Sequence, residues 1–386
     1  MKRSFAAAAL IALASATLWG AEEAPAFASG PIRVGVIEGA HSILVSASVP
    51  MVAFDDRGQS VVKLNAVEGW SASAEGGRIT LTGPDNKVAT VAGTLRLQGQ
   101  ASTALVFAGR TWYRGALELR PRGNTVTAVN IVDVEHYLYG VVPSEMSASW
   151  PGSALQSQAV AARSYALASL GKHTSRGYDI CDTDDCQVYA GAGAESTRSN
   201  SAVDATRGVV LTKQGKVLAA YFHSSSGGYT ENSEDVWVQK LSHIRAVADF
   251  DQNSPHYAWY KNVAAATLES RLASRGVRVG KLKSLNPVSR SYSGRIQKVQ
   301  VVGAAGSTTI SGETLRVAAG LASTLFNLAP RGGTTEQPEE FAFAGRGWGH
   351  GLGLSQWGAR RLSEAGYGYA QILAHYYPGS QLRRTM

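Results

Sequence analysis

The most informative stretch of this 386-residue chain reads Val142-Pro143-Ser144-Glu145-Met146, then Ser149-Trp150-Pro151, then Leu155-Gln156-Ser157-Gln158-Ala159-Val160-Ala161-Ala162-Arg163-Ser164-Tyr165-Ala166-Leu167. Pro151 at its start and Gly171 after its end predict a helix from about Pro151 to Leu170. Small apolar side chains recur on one stripe of that helix, namely Leu155, Ala159, Ala162, Ala166 and Leu170. A neighbouring element can therefore pack closely against it.

Glu145 is expected in a turn between an apolar strand, which ends near Val132, and this helix. The carboxylate either complements the positive end of a helix or has a chemical role, and the local pattern favours neither. Arg163 lies inside the Ala-rich helix, and a buried guanidinium requires a carboxylate or carbonyl partner. Glu145 is the expected partner. The charge of Arg163 would lower the pKa of Glu145, whereas Met146 and Trp150 would raise the pKa of Glu145 by excluding water.

Residues 1–28 have the features of a secretory signal: a basic start, an apolar run from Phe5 to Leu18 and a small-residue cleavage site at Ala26-Phe27-Ala28. The mature chain would then begin near Ser29. The apolar run is short for a membrane span, and an uncleaved anchor is the alternative. We therefore expect an exported protein of the cell wall, periplasm or exterior.

The formal net charge is +8, and removing residues 1–28 leaves it unchanged. An exported basic protein is expected to be drawn to an anionic surface such as the cell wall, with ordinary solubility as the alternative explanation. Nucleic acid is not expected as a partner, because the basic residues are scattered and export removes the usual target.

The remaining pattern predicts an α+β fold, because strands and helices are mixed without strict alternation. Residues 29–110 are expected to form an N-terminal β-rich region, and residues 111–386 a second region. Turns are predicted at 121–124 and 214–215. Further helices are predicted near 265–275, 355–365 and 369–376, with strands over 284–310.

The chain contains two cysteines, Cys181 and Cys186. In an exported protein so close a pair is most simply a disulfide. A zinc site needs four ligands, and Asp182, Asp185 or His173 would have to complete it, in a spacing that fits no common zinc pattern. A reactive thiol is the third alternative.

Two polar or glycine-rich segments are further candidates. His223-Ser224-Ser225-Ser226-Gly227-Gly228-Tyr229 is either an approachable binding loop or a solvated turn. Gly345-Arg346-Gly347-Trp348-Gly349-His350-Gly351-Leu352-Gly353 has glycine at every other position, which lets a ligand approach the backbone or lets the chain pass where side chains would clash. It lacks the spacing of a dinucleotide site.

Six segments together resemble one known family: 141–146, 158–166, 182–189, 223–237, 345–359 and 376–379. They are similar, in order and in content, to the stage II sporulation protein D family, also called the amidase-enhancer family. The resemblance extends from about residue 120 to the C-terminus and does not cover residues 29–110 with the same specificity. It implies that residues 111–386 are the catalytic region.

This resemblance implies a peptidoglycan lytic transglycosylase that acts on glycan strands lacking stem peptides. The catalytic glutamate of the family falls on Glu145 and its helix arginine on Arg163. Family members often carry Lys where this chain has Gln156, so a substrate contact there is not carried over. Some relatives bind zinc through added histidines. No His lies between Cys181 and Cys186, so zinc is not favoured and no cofactor is expected.

Glu145 would protonate the glycosidic oxygen and then accept the proton of the muramyl 6-hydroxyl, which replaces water as nucleophile. A hidden second carboxylate, if water attacks instead, would be Asp179 or Asp182. The residues expected to bind the sugar chain are Arg163, Gln187, Tyr189, His223, Ser225, Tyr229 and His350.

Two other classes of function remain. The first is a non-catalytic wall protein that binds peptidoglycan and stimulates a cell-wall amidase. The second is a hydrolase built from Ser225 or Cys186 with His223 or His350, which lacks the G-x-S-x-G elbow and would lose its thiol to a disulfide.

Overall fold

The computed structural model describes residues 30–385 apart from positions 100, 102, 238 and 335. The signal segment expected at residues 1–28 lies outside the described residues. Within the described part of the chain, no helix is both long enough and apolar enough to cross a membrane.

The first third of the described chain forms two sheets that share one apolar core. Its strands alternate buried and exposed side chains with a period of two, as in Trp70–Glu75 and Arg78–Thr82. The strands are β1 Ile32–Ala40, β2 Ser42–Ala47, β3 Met51–Phe54, β4 Ser60–Leu64, β5 Trp70–Glu75, β6 Arg78–Thr82, β7 Val88–Ala92, β8 Leu95–Gly99, β9 Leu105–Ala108, β10 Thr111–Arg114, β11 Ala116–Arg122 and β12 Thr125–Val132.

The larger sheet joins segments from both sides of residue 110. β1 pairs antiparallel with β12 and parallel with the short strand β13, Ile180–Cys181, which carries the first cysteine. The sheet has the order β13-β1-β12-β11-β8-β3-β4, and the smaller sheet has the order β10-β9-β2-β5-β6-β7. The cysteine loop is therefore anchored to the edge of the N-terminal sheet.

Three helices follow these sheets: α1 Val134–Glu145, α2 Gly152–Ala168 and α3 Thr197–Ala205. The helix predicted at about residues 151–170 is confirmed as α2, and its Ala-rich stripe is buried. Leu170 is an exception, because the helix ends at Ala168 and the Leu170 side chain is 37% exposed.

Glu145 is the last residue of α1, so the expectation of a turn at this position was wrong. Asp133 caps the helix by accepting hydrogen bonds from the backbone N–H groups of Glu135 and His136. Pro143 suggested a break, yet it lies in the last turn, and the helix continues to Glu145. Glu145 thus occupies the negative end of a helix, where an ionised carboxylate is disfavoured. Glu145 therefore does not lie at the positive end of α1 or of α2.

The C-terminal half mixes small sheets with helices around two further apolar clusters, which confirms the predicted α+β class. Its helices are α4 Ser233–Val236, α5 Ala265–Ala273, α6 Gly312–Ala319, α7 Gln356–Glu364 and α8 Tyr369–Tyr376. Its strands are β14 Val209–Lys213, β15 Lys216–Val217, β16 Phe222–His223, β17 Ala258–Ala264, β18 Leu282–Arg290, β19 Ile296–Gly303, β20 Gly306–Ser311, β21 Phe326–Arg331, β22 Glu340–Arg346, β23 Leu354–Ser355 and β24 Gln381–Arg384.

Most of the local predictions for this half are confirmed. The β14–β15 hairpin turns through Gln214 and Gly215, whose φ angles are 50° and 74°. The helices predicted near 265–275, 355–365 and 369–376 are α5, α7 and α8. β16 and β23 pair in parallel, so that His223 lies opposite Ser355. This pairing joins the serine-rich segment to the glycine-rich segment and forms one side of the candidate site.

Candidate active site

Glu145 lines a cleft of about 610 Å³ between the end of α1, the cysteine loop, β16 and the glycine-rich segment. The lining residues are Glu145, Tyr165, Asp184, Asp185, Cys186, Val188, Tyr221, Phe222, His223, Val236, Trp237, Glu313, Arg316, Trp348, Gly349 and His350. The cleft therefore brings together parts of five of the six segments that carry the family resemblance.

The surroundings of Glu145 favour its protonated form. Burial raises the pKa of Glu145, hydrogen bonds from the Val188 backbone and the Gln356 side chain oppose that shift, and the charge of Asp184 adds to it. The Val188 N–H donates to Glu145 Oε1 at 2.8 Å. The carboxyl group is thus held in one orientation while burial favours its proton.

Arg163 does not pair with Glu145. Its guanidinium donates to both carboxylate oxygens of Glu135, from Nε at 2.8 Å and from Nη2 at 2.6 Å, and Nη1 donates to the Val209 carbonyl at 3.0 Å. Arg163 is completely buried. The expectation that it contacts the substrate was therefore wrong, and its role is to fix α2 against α1 and β14.

Three other residues expected to bind sugar are also buried. Gln187 donates from Nε2 to the Ala162 carbonyl at 3.1 Å, and the Tyr189 hydroxyl donates to Asn130 Oδ1 at 2.9 Å. The Ser225 hydroxyl donates to Asp251 Oδ2. None of the three side chains lines the cleft. Their polar groups form hydrogen bonds inside the protein, except for Gln187 Oε1, which has no partner among the described residues. This corrects the expectation of direct substrate contact.

His223 and His350 both line the cleft, and their ring centroids lie 5.5 Å apart. His223 Nδ1 lies 3.1 Å from the Leu352 carbonyl, so this nitrogen carries the proton, and the buried Nε2 has no hydrogen-bond partner. His350 Nδ1 accepts from the Leu352 N–H at 2.9 Å. Burial lowers the pKa of His223, and it lowers that of His350 to about 4. At neutral pH both rings are uncharged, and His223 Nε2 is a free acceptor.

The alternating glycines allow this close arrangement. Gly349 has a φ of 108°, and a side chain there would come within 2.9 Å of the His223 Cβ. Gly351 has a φ of 85°, and a side chain there would overlap the buried guanidinium of Arg295. These contacts support the second explanation for the alternating glycines, in which the chain passes where side chains would clash.

Aromatic rings form a wall of the cleft, which the sequence analysis did not identify. Tyr221 and Trp237 pack edge to face with centroids 4.5 Å apart, and His350 lies 5.9 Å from Trp237. Trp348 is 51% exposed beside them. Flat apolar rings of this kind suit the C–H face of a pyranose. Trp237 and Trp348 fall within the family-like segments, which was the available signal.

Tyr229 lies outside the cleft lining, although it was expected to bind sugar. It is 48% exposed and its ring faces Tyr292 at 6.4 Å.

The hydrolase alternative also fails on geometry, because the Ser225 hydroxyl donates to Asp251 and not to a histidine. The sulfur of Cys186 is bonded to that of Cys181.

The carboxylates near Glu145 differ from those expected. Asp179 accepts hydrogen bonds from the backbone of Arg33 and of Gly171, and Asp182 is likewise absent from the cleft lining. The cleft contains Asp184, Asp185 and Glu313 instead. Lys172 and His173 pair with Asp185, and Arg316 pairs with Glu313. Asp184 forms no ion pair among the described residues and is exposed.

The cysteine loop carries a group of potential metal ligands. Cys181 and Cys186 form a disulfide, as expected. His173 Nε2 lies 3.4 Å from Cys186 Sγ and 3.2 Å from Asp185 Oδ2. The ligand atoms of His173, Cys181, Asp185 and Cys186 all lie within 4.8 Å of one another. His173 and Asp185 are two of the three residues that the sequence analysis named as able to complete a zinc site, and in the reduced chain they would supply its nitrogen and oxygen ligands.

We expect Cys181 and Cys186 to be oxidised to each other in the protein as exported by the predicted signal segment, because disulfides persist outside the reducing cytoplasm. Intact-mass measurement after alkylation in denaturant should show no added groups, and prior reduction should add two. A closed loop this short contributes about 2 kcal/mol, so the double Cys→Ser variant should keep part of its activity. Two free thiols, or stoichiometric zinc by elemental analysis, would contradict the disulfide.

Comparison with known proteins agrees with the segments described above. Residues 122–212 match the family model described as stage II sporulation protein, and residues 205–353 match a domain of unknown function. The chain is 30% identical over 271 residues to the stage II sporulation protein D of Bacillus subtilis (strain 168), covering 66% of this chain and 76% of that protein. It is also 30% identical over 274 residues to an uncharacterized protein of Brachyspira hyodysenteriae, covering 69% of this chain and 71% of that protein.

A third relative is much longer than the region matched. The amidase enhancer of Bacillus subtilis (strain 168) is 30% identical over 291 residues, which cover 64% of this chain but only 40% of that protein. The similarity to that relative therefore concerns less than half of its length.

Proposed function

The chain belongs to the stage II sporulation protein D family, and from this premise we propose that it is an exported peptidoglycan lytic transglycosylase that cleaves glycan strands lacking stem peptides. The observation that carries the proposal is Glu145, a carboxyl group whose pKa is raised by burial, in a cleft with an aromatic wall. Its position at the negative end of α1 does not stabilise the helix. A chemical role accounts for both features.

The reaction needs one carboxyl group. Protonated Glu145 donates its proton to the glycosidic oxygen between N-acetylmuramic acid and N-acetylglucosamine as the bond from C1 of the muramyl sugar breaks. The muramyl 6-hydroxyl then bonds to C1, and its proton passes to the Glu145 carboxylate. Glu145 is restored, no water is consumed, and the products are a free 4-hydroxyl and a 1,6-anhydro ring.

The remaining groups of the cleft would bind and orient the strand. Tyr221, Trp237 and Trp348 provide apolar faces, and His223 Nε2 is a buried acceptor that a sugar hydroxyl or amide N–H can satisfy. An uncharged His223 would keep this acceptor available at neutral pH. A net charge of +8 supports attraction of the exported protein to an anionic wall.

We expect the new chain ends to be 1,6-anhydro-muramyl groups, because the intramolecular hydroxyl is favoured over water by proximity. Denuded strands should also be cut faster than intact peptidoglycan. Mass spectrometry of the products should find ends one water lighter than hydrolysed ends. Reducing muramyl ends would mean that water attacks, and Asp184 would then be the base to test by Asp184→Asn. Release of free peptides would indicate an amidase or peptidase instead.

A second candidate function is stimulation of a cell-wall amidase, which is supported by the similarity to a protein named amidase enhancer. In that case the cleft would bind glycan without cutting it. Adding the protein to a purified wall amidase acting on intact peptidoglycan separates the two functions. Stimulation that persists when Glu145 is replaced by Gln, with no glycan cleavage by the native chain, would favour this candidate.

A further inference from the structure

The cleft continues into two further cavities across the C-terminal half of the protein. A cavity of about 290 Å³ shares Arg316 and Trp348 with the cleft. A third cavity, of about 570 Å³, shares Trp259 with the second. Because neighbouring cavities share lining residues, the three lie side by side in a series that leads away from Glu145 along the sheet of β17, β22 and β21, and this series is called the path. The second and third cavities are together called the basic extension.

The charge of the path reverses along its length. The cleft is lined by the acidic side chains Glu145, Asp184, Asp185 and Glu313, with Arg316 as its one cationic side chain apart from histidine. The basic extension is lined by Lys261, Arg290, Arg316 and Arg346, and its lining contains no Asp or Glu. A ligand that follows the whole path therefore meets the acidic cleft first and then the basic extension.

Two of these cations are held in place without being neutralised. Arg290 donates to the Gly294 carbonyl at 2.8 Å and to Asn327 Oδ1 at 2.9 Å. Arg346 lies over the ring of Tyr257, with its guanidinium carbon 5.9 Å from the centroid. Neither forms an ion pair with a carboxylate among the described residues, in contrast to Arg316, which pairs with Glu313. Both charges are thus available to an anionic ligand.

Trp348 connects the two parts of the path. Its ring packs on His256 with centroids 4.7 Å apart, while half of the residue remains exposed. Since it lines both the cleft and the basic extension, a sugar ring stacked on it would direct the strand from one into the other.

We propose that the basic extension binds the free lactyl carboxylates of muramyl residues in a denuded glycan strand, at sugars beyond the bond that Glu145 cleaves. This inference rests on the proposed function and gives it a basis for selectivity. In intact peptidoglycan the stem peptide converts each of these carboxylates into an amide, which is uncharged and bulky. Arg290 and Arg346 would therefore recognise the absence of stem peptides by charge.

The test is binding of fluorescently labelled denuded glycan octasaccharide to the Glu145→Gln protein, so that no cleavage occurs during the measurement. Adding Arg290→Gln and Arg346→Gln should weaken binding about tenfold, because charge-assisted hydrogen bonds are lost. A neutral chito-oligosaccharide of the same length has no lactyl carboxylates, and its affinity should change less than twofold. The matched control is Arg57→Gln with Arg78→Gln, which removes the same charge from exposed sites outside the path.

Unchanged binding of the denuded glycan by the double Arg variant would overturn the proposal, as would equal losses for the charged and the neutral chain. If a poly(glycerol phosphate) preferentially displaced the glycan from the protein with its native arginines, the basic extension would be assigned to a phosphate polymer. That result would also overturn the proposal. Cleavage by the double Arg variant at the native rate and with native binding would leave the proposed function intact. Arginine-dependent binding without any cleavage by the native protein would reject the proposed function alone.

Discussion

Replacing Glu145 by Gln is expected to abolish glycan cleavage while leaving the fold and the binding of glycan unchanged. The amide oxygen can still accept the hydrogen bond from the Val188 N–H, but the amide cannot donate a proton to the glycosidic oxygen. General acid–base catalysis contributes roughly 10²- to 10⁴-fold to such reactions, so turnover of denuded strands should fall by at least about a hundredfold. The rate is measured as the release of soluble muramyl-ended fragments.

A matched control comes from the same cleft. Glu313 also lines it, but its carboxylate is bound by Arg316. Glu313→Gln makes the same chemical substitution at another position of the cleft and should keep most of the activity. The unfolding temperature and the affinity for glycan should be the same in both variants and in the native chain. Native turnover by the folded Glu145→Gln protein would end the assignment of Glu145 as the acid.

Much of the fold could be predicted from local pattern. The Ala-rich run, Pro151 and Gly171 placed α2 correctly, and the last two helices were predicted close to their observed bounds. Gly366 and Pro378 lie two residues beyond the ends of these helices. Residues that start or stop a helix act on neighbours only a few positions away, so their effect can be predicted from the sequence alone. The end of α1 could not be read in the same way, because Pro143 usually breaks a helix and here lies in its last turn.

The site was predicted less completely than the fold. Glu145, His223 and His350 do meet in one cleft, as the family-like segments suggested. Gln187, Tyr189 and Ser225 belong to the same segments but point into the interior. A motif records which residues a family keeps, and it does not distinguish a side chain that touches substrate from one that holds the loop. Burial decides that difference, and burial depends on strands far apart in sequence.

Arg163 is the clearest case of this kind. Its partner Glu135 lies 28 residues earlier in the chain, at the opposite end of α1 from Glu145. Glu135 Oε1 also accepts the Gly208 N–H at 3.0 Å, so the pair ties together α1, α2 and the start of β14. Because α1 carries Glu145 at its other end, the ion pair supports the position of Glu145 without lining the cleft.

We therefore expect Arg163→Ala to destabilise the protein by about 3–5 kcal/mol, since it leaves the Glu135 carboxylate buried without its cation. The free energy of unfolding is measured by urea denaturation, and the activity of the folded fraction is measured on denuded glycan. Arg163→Met combined with Glu135→Leu replaces the ion pair with apolar side chains of similar volume and should recover most of the lost stability. If Arg163 only positions α1, this double variant should also recover cleavage. If Arg163 bound the substrate, the double variant would be stable and inactive, since Met cannot replace a guanidinium that recognises sugar oxygens.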